Sequence, residues 1–251
     1  MDRKLLKSNA KQQLGGSIFS ENWLLALVCC LILSAIVSAV SSAGAMVSGG
    51  FSFGKMFTVM QQNMYNEDAV YEVVSMYPAM FAGTGVSSVL VLLVSGPLSF
   101  GLAKVFLRLV YGEPKVKIET MFDGFREDFG GTVLLILMIG IFTFLWSLLF
   151  IIPGIVKGIA YSMAYYIKVE HPDYDWRRCI GESQELMRGY KGQYFVLQLS
   201  FIGWYIVGFL TFGLGLLWVS PYVECTNANF YAWLTAQKGQ PVSGMDEAPE
   251  L

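Results

Sequence analysis

Two ionisable side chains within apolar stretches are the residues of this sequence best placed to do chemistry. Lys157 follows Pro153 by four residues, and Glu224 follows Pro221 by three. An ionised side chain in hydrocarbon is costly unless it finds a partner or water, so such residues often mark functional sites. We hypothesise that Lys157 and Glu224 pair inside a membrane, with Asn227 one helical turn along from Glu224. Alternatively, each reaches the headgroups or binds carbonyl groups that the proline leaves free.

The other residue types that commonly do chemistry form no recognisable set. The chain has four cysteines and one histidine, which are Cys29, Cys30, Cys179, Cys225 and His171. A zinc site needs three or four such ligands within reach, so we interpret the cysteines as small apolar packing residues. The sequence contains no GxSxG, HExxH or GxxxxGK[ST] motif. We therefore expect no enzyme, no metal site and no cofactor.

The composition indicates a membrane protein. Apolar residues make up 55% of the 251 residues and charged residues only 14%, with a mean hydropathy of +0.52. An ordinary soluble domain has about 25% charged residues. The net charge of -2 argues against a nucleic-acid partner, because no excess of cations is present to neutralise phosphates. We expect an all-α protein with a single membrane domain over residues 1–236 and a disordered tail over 237–251.

Hydropathy predicts six transmembrane helices. They are residues 23–47, 84–112, 131–152, 154–169, 194–220 and 221–236. A loop over residues 48–83, too charged to cross, separates the first two on the outer side. A cleaved signal peptide is the alternative for the first span, because Ala43-Gly44-Ala45 has the form of a cleavage site. Its apolar stretch is longer than the usual core of about 7–15 residues, which favours a retained helix.

Three prolines are predicted to fold the spans into hairpins. A single helix over residues 131–169 would be about 58 Å long, roughly twice the thickness of the hydrocarbon layer. Pro153 and Gly154 are therefore interpreted as a tight turn, with a kink in one tilted helix as the alternative. Pro97 and Pro221 occupy similar positions in their own segments. The pattern predicts three repeats of one hairpin unit.

Each hairpin is preceded by a segment with an apolar stripe and a polar face, which predicts helices lying in the headgroup plane. These interfacial helices are residues 3–14, 118–129 and 174–188. Phe122, Phe125 and Trp176 are the candidate surface for lipid or a partner. Asp173 or Asp175 is placed to cap the helix that carries Trp176.

The distribution of basic residues predicts which side of the membrane each segment faces. With the N-terminus inside, 15 of the 17 Lys and Arg residues lie in cytoplasmic segments or at inner helix ends. Only Lys55 and Lys157 then fall on the outer side. Both termini are therefore predicted to be cytoplasmic.

Several motifs carry a resemblance to a known family. They are GPLSFGLAKVFLRLVYGE (96–113), MFDGFREDF (121–129), LWSLLFIIPGIVKGIAYSMAYYI (145–167), ESQELMRGYKGQYFVLQLSFIGW (182–204) and GLGLLWVSPYVECTNANFYAWL (213–234). Together they resemble an uncharacterised family of bacterial integral-membrane proteins, domain of unknown function 975. The resemblance implies a polytopic protein of the bacterial cytoplasmic membrane and implies no catalytic activity.

The function class that we favour from the sequence is a non-enzymatic binding, scaffold or accessory protein of this membrane. Its expected partners are membrane lipids or another membrane protein, and the sequence favours no oligomeric state. The main alternative is a small transporter or channel with a polar cavity near Lys157 and Glu224. An intramembrane enzyme acting on lipid is the third reading, but no catalytic set supports it.

Overall fold

The structure is a computed structural model that describes residues 3–17, 20–47, 67–113, 116–211 and 213–239, without the side chains of 44–47 and 67–87. All regular elements in these ranges are helices, which confirms the all-α prediction. Four helical segments are long and apolar enough to cross a membrane: Glu21–Ala43, Ser88–Val110, Phe129–Leu149 and Lys191–Leu210. The chain therefore has the character of a membrane protein.

The helices follow one another in this order: α1 (Arg3–Gln13), α2 (Glu21–Val47), α3 (Glu67–Val110), a 3-10 helix (Ile118–Phe122), α4 (Asp123–Arg126), α5 (Phe129–Leu149), α6 (Ile151–Tyr161), α7 (Ala164–Glu170), α8 (Trp176–Leu186), α9 (Lys191–Leu199), α10 (Ile202–Leu210) and α11 (Leu216–Lys238). They belong to two compact units, Met1–Leu33 with Gly96–Leu251, and Ser34–Ser95. In the described part of the smaller unit, the chain is helical throughout.

Helix α11 is the core of the larger unit. Twelve of its 23 residues are buried. Its aromatic rings pack against several other helices: Tyr231 stacks on Tyr166 at 5.2 Å and Phe230 lies 5.1 Å from Tyr194. Because α11 is enclosed by protein, it does not need a strongly apolar surface, and its polar residues can bond to neighbouring helices.

Pro97 does not form the predicted turn. It lies inside α3, which is helical from Glu67 to Val110. The predicted outer loop is therefore helical over residues 67–83, while residues 48–66 lie outside the described ranges. The helix continues through Pro97 even though proline removes one backbone hydrogen bond. Around Pro97, α3 packs closely against α4, because a Cβ atom on Gly124 of α4 would overlap the Pro97 backbone.

The turn predicted at Pro153 and Gly154 lies three residues earlier. Helix α5 ends at Leu149, Phe150 is extended (φ −158°, ψ 144°), and α6 begins at Ile151. Pro153 is thus the third residue of α6, in the first turn, where its missing N–H would have no helical partner. Gly154 instead allows close packing, because a Cβ there would overlap Ser147 of α5. The two helices run antiparallel from this turn.

Pro221 is also inside a helix, and the turn before α11 includes residues 211 and 213–215. Gly213 has a positive φ of 87°, which a residue with a side chain rarely adopts. The Thr211 hydroxyl accepts a hydrogen bond from the N–H of Gly215 at 2.9 Å. The positive φ of Gly213 and the hydrogen bond to Thr211, and not the proline, therefore form the turn here.

Several predicted elements are divided differently in the structure. The predicted span 154–169 comprises α6 and α7 with a turn at residues 162–163, and α9 and α10 together fill most of span 194–220. Helices α1 and α8 match the first and third predicted interfacial helices. The second, residues 118–129, is a 3-10 helix followed by one turn of α4. Its stripe is not continuous, because Met121 is fully buried whereas Ile118 is 41% exposed.

Candidate functional site

Lys157 and Glu224 do not form the ion pair that we hypothesised from the sequence. Lys157 Nζ donates to Gln184 Oε1 at 3.3 Å and lies 4.9 Å from the centre of the Trp146 ring. Glu224 lies one helical turn from Asn227 on α11. The reason is geometric: the lysine on α6 faces α5 and α8, whereas Glu224 is on α11. The equivalent position relative to a proline does not place them on facing surfaces.

Glu224 and Asn227 belong to a small polar cluster between α9 and α11. Asn227 Oδ1 accepts hydrogen bonds from Gln198 Nε2 at 2.7 Å and from the Tyr194 hydroxyl at 3.5 Å. Glu224 lies one helical turn from Asn227, so helix periodicity places the two on the same face of α11. The cluster joins two helices by amide and phenol groups, and Lys157 bonds elsewhere.

A second polar site is formed around Glu170 at the end of α7. The Tyr111 hydroxyl donates to Glu170 Oε1, and the Tyr231 hydroxyl donates to Oε2, both at 2.6 Å. Burial and the neighbouring carboxylate raise the pKa of Tyr111, so its hydroxyl remains a proton donor. One carboxylate therefore connects the ends of α3, α7 and the middle of α11.

A cavity of about 170 Å³ opens beside Glu170. It is lined by Ile167, Glu170, His171, Tyr174, Glu182, Tyr231 and Thr235. His171 stacks on Tyr174 with ring centres 4.4 Å apart. No set of three His, Cys, Asp or Glu residues suited to a metal ion occurs here or elsewhere in the described ranges. The cavity is small, and its walls are hydrogen-bonded to each other.

Lys168, the one buried Lys or Arg side chain among the described residues, forms an ion pair with Asp128. Lys168 is 3% exposed, and its ammonium group donates to Asp128 Oδ2 at 2.6 Å and to the carbonyls of Pro172 and Tyr174 at 2.7 and 2.8 Å. Asp128 also caps α5 by accepting from the N–H of Gly131 at 2.8 Å. Burial acts to raise the pKa of Asp128, but these two hydrogen bonds outweigh it and the pKa is lowered.

The three aromatic residues of the predicted partner surface have different surroundings. Phe125 is 38% exposed and stacks on Phe129 at 6.0 Å. Trp176 is partly buried and packs on Phe142 of α5, also at 6.0 Å, and Phe122 is partly buried. Of these three residues, only Phe125 is exposed.

Among the described residues, the most exposed large apolar side chains lie instead at two turns. Around the first, Phe150 and Ile152 are 73% and 75% exposed; around the second, Leu210 is 76% exposed. A soluble protein rarely exposes several large apolar side chains to water in one place.

A family model described as "Protein of unknown function (DUF975)" matches residues 1–159 and 149–238. The chain belongs to the DUF975 family. No curated protein and no solved structure matches the chain. In this DUF975 protein the family match includes both turns, the Glu170 cavity and the Lys168 ion pair.

The Glu170 and Lys168 sites were not predicted from the sequence. Tyr111 and Tyr231 are 59 and 61 residues from Glu170, so no local spacing pattern joins them. For Lys168, the available signal was its place before a His-Pro pair, where a helix must end. That signal predicts a helix end and gives no indication of a buried cation in this DUF975 protein.

Proposed function

We propose that this DUF975 protein is a non-enzymatic binding, scaffold or accessory protein of the bacterial cytoplasmic membrane. The observation that carries the proposal is that the charged groups of Lys168 and Glu170 are already occupied by contacts within the protein. The Lys168 ammonium group bonds to the Asp128 carboxylate and to the Pro172 and Tyr174 carbonyls, and both oxygens of the Glu170 carboxylate accept from tyrosine hydroxyls. A catalytic acid, base or nucleophile must instead be free to reach a substrate.

The same proposal includes a topology with both termini in the cytoplasm. Its support is the distribution of Lys and Arg residues, which are concentrated in the segments assigned to that side. Six complete crossings arranged as three repeated hairpins are one form of this topology. A form with fewer complete crossings keeps both termini on the same side if the remaining hairpins enter and leave by one face.

The proposed binding surface includes the polar faces of α1 and α8 and the exposed Phe125. Arg3, Lys4 and Lys11 are exposed on α1. Cations on a helix beside apolar surface attract anionic lipid headgroups, at about 1 kcal/mol for each basic residue. The partner chemistry is therefore an anionic lipid surface, with a second membrane protein bound through Phe125.

The test is to isolate the protein in lipid nanodiscs taken directly from the membrane and to quantify the lipids and proteins that accompany it. Phe125→Ser should remove a bound protein component, and Glu224→Gln should leave it unchanged. The proposal fails if Glu224→Gln removes the component and Phe125→Ser does not. Ile118→Ser, at another exposed apolar position of the same predicted interfacial segment, is the matched control.

A small transporter or channel is the second candidate function. The Glu224, Asn227 and Gln198 cluster favours it, because a carboxylate and two amides in an apolar bundle can line a path for a polar solute. The described part of the chain contains cavities of about 170 and 360 Å³, and neither of these two is lined by Lys157 or Glu224. Loss of solute flux in Glu224→Gln proteoliposomes would favour transport over the binding role.

A further inference from the structure

The charged helix α8 contacts α5 and α6 close to the turn that joins them. Trp176 packs on Phe142 at 6.0 Å, and Gln184 accepts from Lys157 at 3.3 Å. Only eight residues separate Phe142 from the turn at Phe150, and seven separate it from Lys157. At 1.5 Å per residue, the helix pair extends beyond these contacts by about 10–12 Å.

Helix α1 contacts the second helix pair, α10 and α11, through Tyr222 of α11 and the two residues that directly precede α10, at a comparable distance from its turn. Lys7 Nζ donates to the Ser200 carbonyl at 3.3 Å and lies 4.1 Å from the centre of the Phe201 ring. Lys11 Nζ lies 5.7 Å from the centre of the Tyr222 ring. From the contact at Ser200, α10 extends by about 15 Å to Thr211. From the contact at Tyr222, α11 extends by about 9 Å back to its start.

The start of α2, a candidate membrane span, lies at the same place. The ring of Trp23 stacks on that of Tyr222 at 6.4 Å, and Tyr222 packs against the edge of Phe201 at 5.5 Å. All three rings are buried. A candidate membrane span, a basic helix and the second helix pair therefore meet at one aromatic cluster.

The two segments beyond these contacts are entirely without strongly polar residues. Residues 144–156 and 202–219 contain no Asp, Glu, Lys, Arg, His, Asn or Gln. Within the second segment, the N–H groups of Gly213, Leu214 and Gly215 are all hydrogen-bonded inside the turn. Backbone bonded in this way lowers the cost of placing a turn in hydrocarbon.

A complete crossing would place charged residues deep in the bilayer. If α5 crossed from Phe129 to Phe150, the α8 contact at Phe142 would lie about 20 Å from the inner surface. Helix α8 carries Arg177, Arg178 and other charged residues that are exposed to the surroundings. Each such charge costs about 3 kcal/mol near the centre of the membrane. This penalty disappears if α8 lies at the membrane surface.

We propose that the α5–α6 and α10–α11 pairs do not cross the membrane, and that their ends insert only into the acyl chains of the cytoplasmic leaflet. Their reach of about 10–15 Å beyond α1 and α8 matches half of a hydrocarbon layer of about 30 Å. The complete crossings are then α2 and α3. Lys157 moves to the cytoplasmic surface, which leaves Lys55 as the only basic residue assigned to the outer side.

The position of charges along α3 agrees with this arrangement. Lys104 pairs with Asp123 at 2.9 Å and with Glu127 at 2.6 Å, so the last part of α3 lies against a charged segment. Upstream, residues 73–96 contain no charged side chain. At about 36 Å, that stretch is long enough to cross the hydrocarbon layer by itself.

The test is labelling of single added cysteines from each side of intact membranes with a membrane-impermeant maleimide. Ile151→Cys and Leu210→Cys place a thiol at each turn, and Arg177→Cys on α8 is the control for the cytoplasmic side. Ser52→Cys, in the predicted outer loop, is the control for the outer side. The unmodified protein gives the background from its four native cysteines, three of which are buried.

We expect that neither turn position is labelled from either side of intact membranes, and that both are labelled once detergent has dissolved the membrane. Labelling of Ile151→Cys or Leu210→Cys from the outer side would show a complete crossing and overturn the inference, and labelling from the cytoplasmic side would show that the turns are not inserted. The inference rests on the proposed cytoplasmic termini. If Arg177→Cys itself is labelled from outside, the proposed topology fails, which is a distinguishable result.

Discussion

Lys168 illustrates how single polar residues hold this fold together. Its ammonium group joins the start of α5, through Asp128, to the segment before α8, through the Pro172 and Tyr174 carbonyls. Three acceptors replace the water that the ammonium group loses on burial, which offsets the cost of burying it. The cost of removing one partner is high, because the others are left without it.

Lys168→Met should lower the free energy of unfolding by about 3 kcal/mol, because it leaves Asp128 and two carbonyls without their donor. Thermal unfolding of the purified protein in one detergent measures this. Lys117→Met is the matched control, since Lys117 is exposed and should change stability by less than about 0.5 kcal/mol. Equal losses of unfolding free energy in the two variants would show that the contacts of the buried Lys168 do not stabilise the fold.

Asp128 predicts a specific dependence of stability on pH. Its pKa is lowered in the folded protein from the ordinary value of 3.8. A carboxyl group of this kind contributes stability above its unfolded pKa and loses that contribution as the pH falls through its folded pKa. Between pH 5 and 3, unfolding free energy should fall less steeply in Asp128→Asn than in the parent protein. Identical slopes would remove Asp128 from the acid response.

The candidate sites were only partly predictable from the sequence. Asp175 was predicted as a possible helix cap, and its carboxylate accepts from the N–H of Arg178 at 3.0 Å, because capping depends on neighbours three residues apart. The hydrogen bonds from Tyr111 and Tyr231 to Glu170 depend on the packing of three distant helices. No local pattern carries that information, so the site became visible only in the folded chain.

At the scale of elements, the α5–α6 turn depends on close approach of the two helices. A Cβ on Gly154 would overlap Ser147, whereas a Cβ on Gly158 would lie 3.6 Å from Thr143, an ordinary contact. Gly154→Ala should therefore destabilise the protein by about 1–3 kcal/mol. Gly158→Ala should be neutral or stabilising by up to about 1 kcal/mol, through its better helix propensity.

Thermal unfolding of this pair of variants isolates packing from helix propensity, because both change one glycine of the same helix to alanine. A loss in Gly158→Ala equal to that in Gly154→Ala would contradict the described approach of α5 and α6.

The elements were predicted with uneven success for physical reasons. Helices α1 and α8 follow from amphipathic periodicity, which is a local signal. The positions of the turns do not follow from the prolines, because proline is tolerated in the first turn of a helix, as at Pro153, and inside a longer helix, as at Pro97. The extended Phe150 and the positive φ of Gly213 set the turns.

At the scale of the whole molecule, the exposed apolar ends predict how the protein responds to added charge. Ile151→Lys places an ammonium group in the acyl chains and should lower the stability of the protein in lipid by about 3 kcal/mol. Gly181→Lys on α8, where a side chain meets open space, should be tolerated. Thermal unfolding of the reconstituted protein measures both. Equal stability of the two variants would place residue 151 in water or among headgroups.

The depth of the two turns in the bilayer tests the account most directly. A nitroxide attached at Ile151→Cys or Leu210→Cys, in protein reconstituted in lipid, reports depth through its relative accessibility to oxygen and to a water-soluble nickel complex. The arrangement with two complete crossings predicts both labels near the bilayer centre and a label at Arg177→Cys near the headgroups. Turn labels at the depth of the outer headgroups would contradict it.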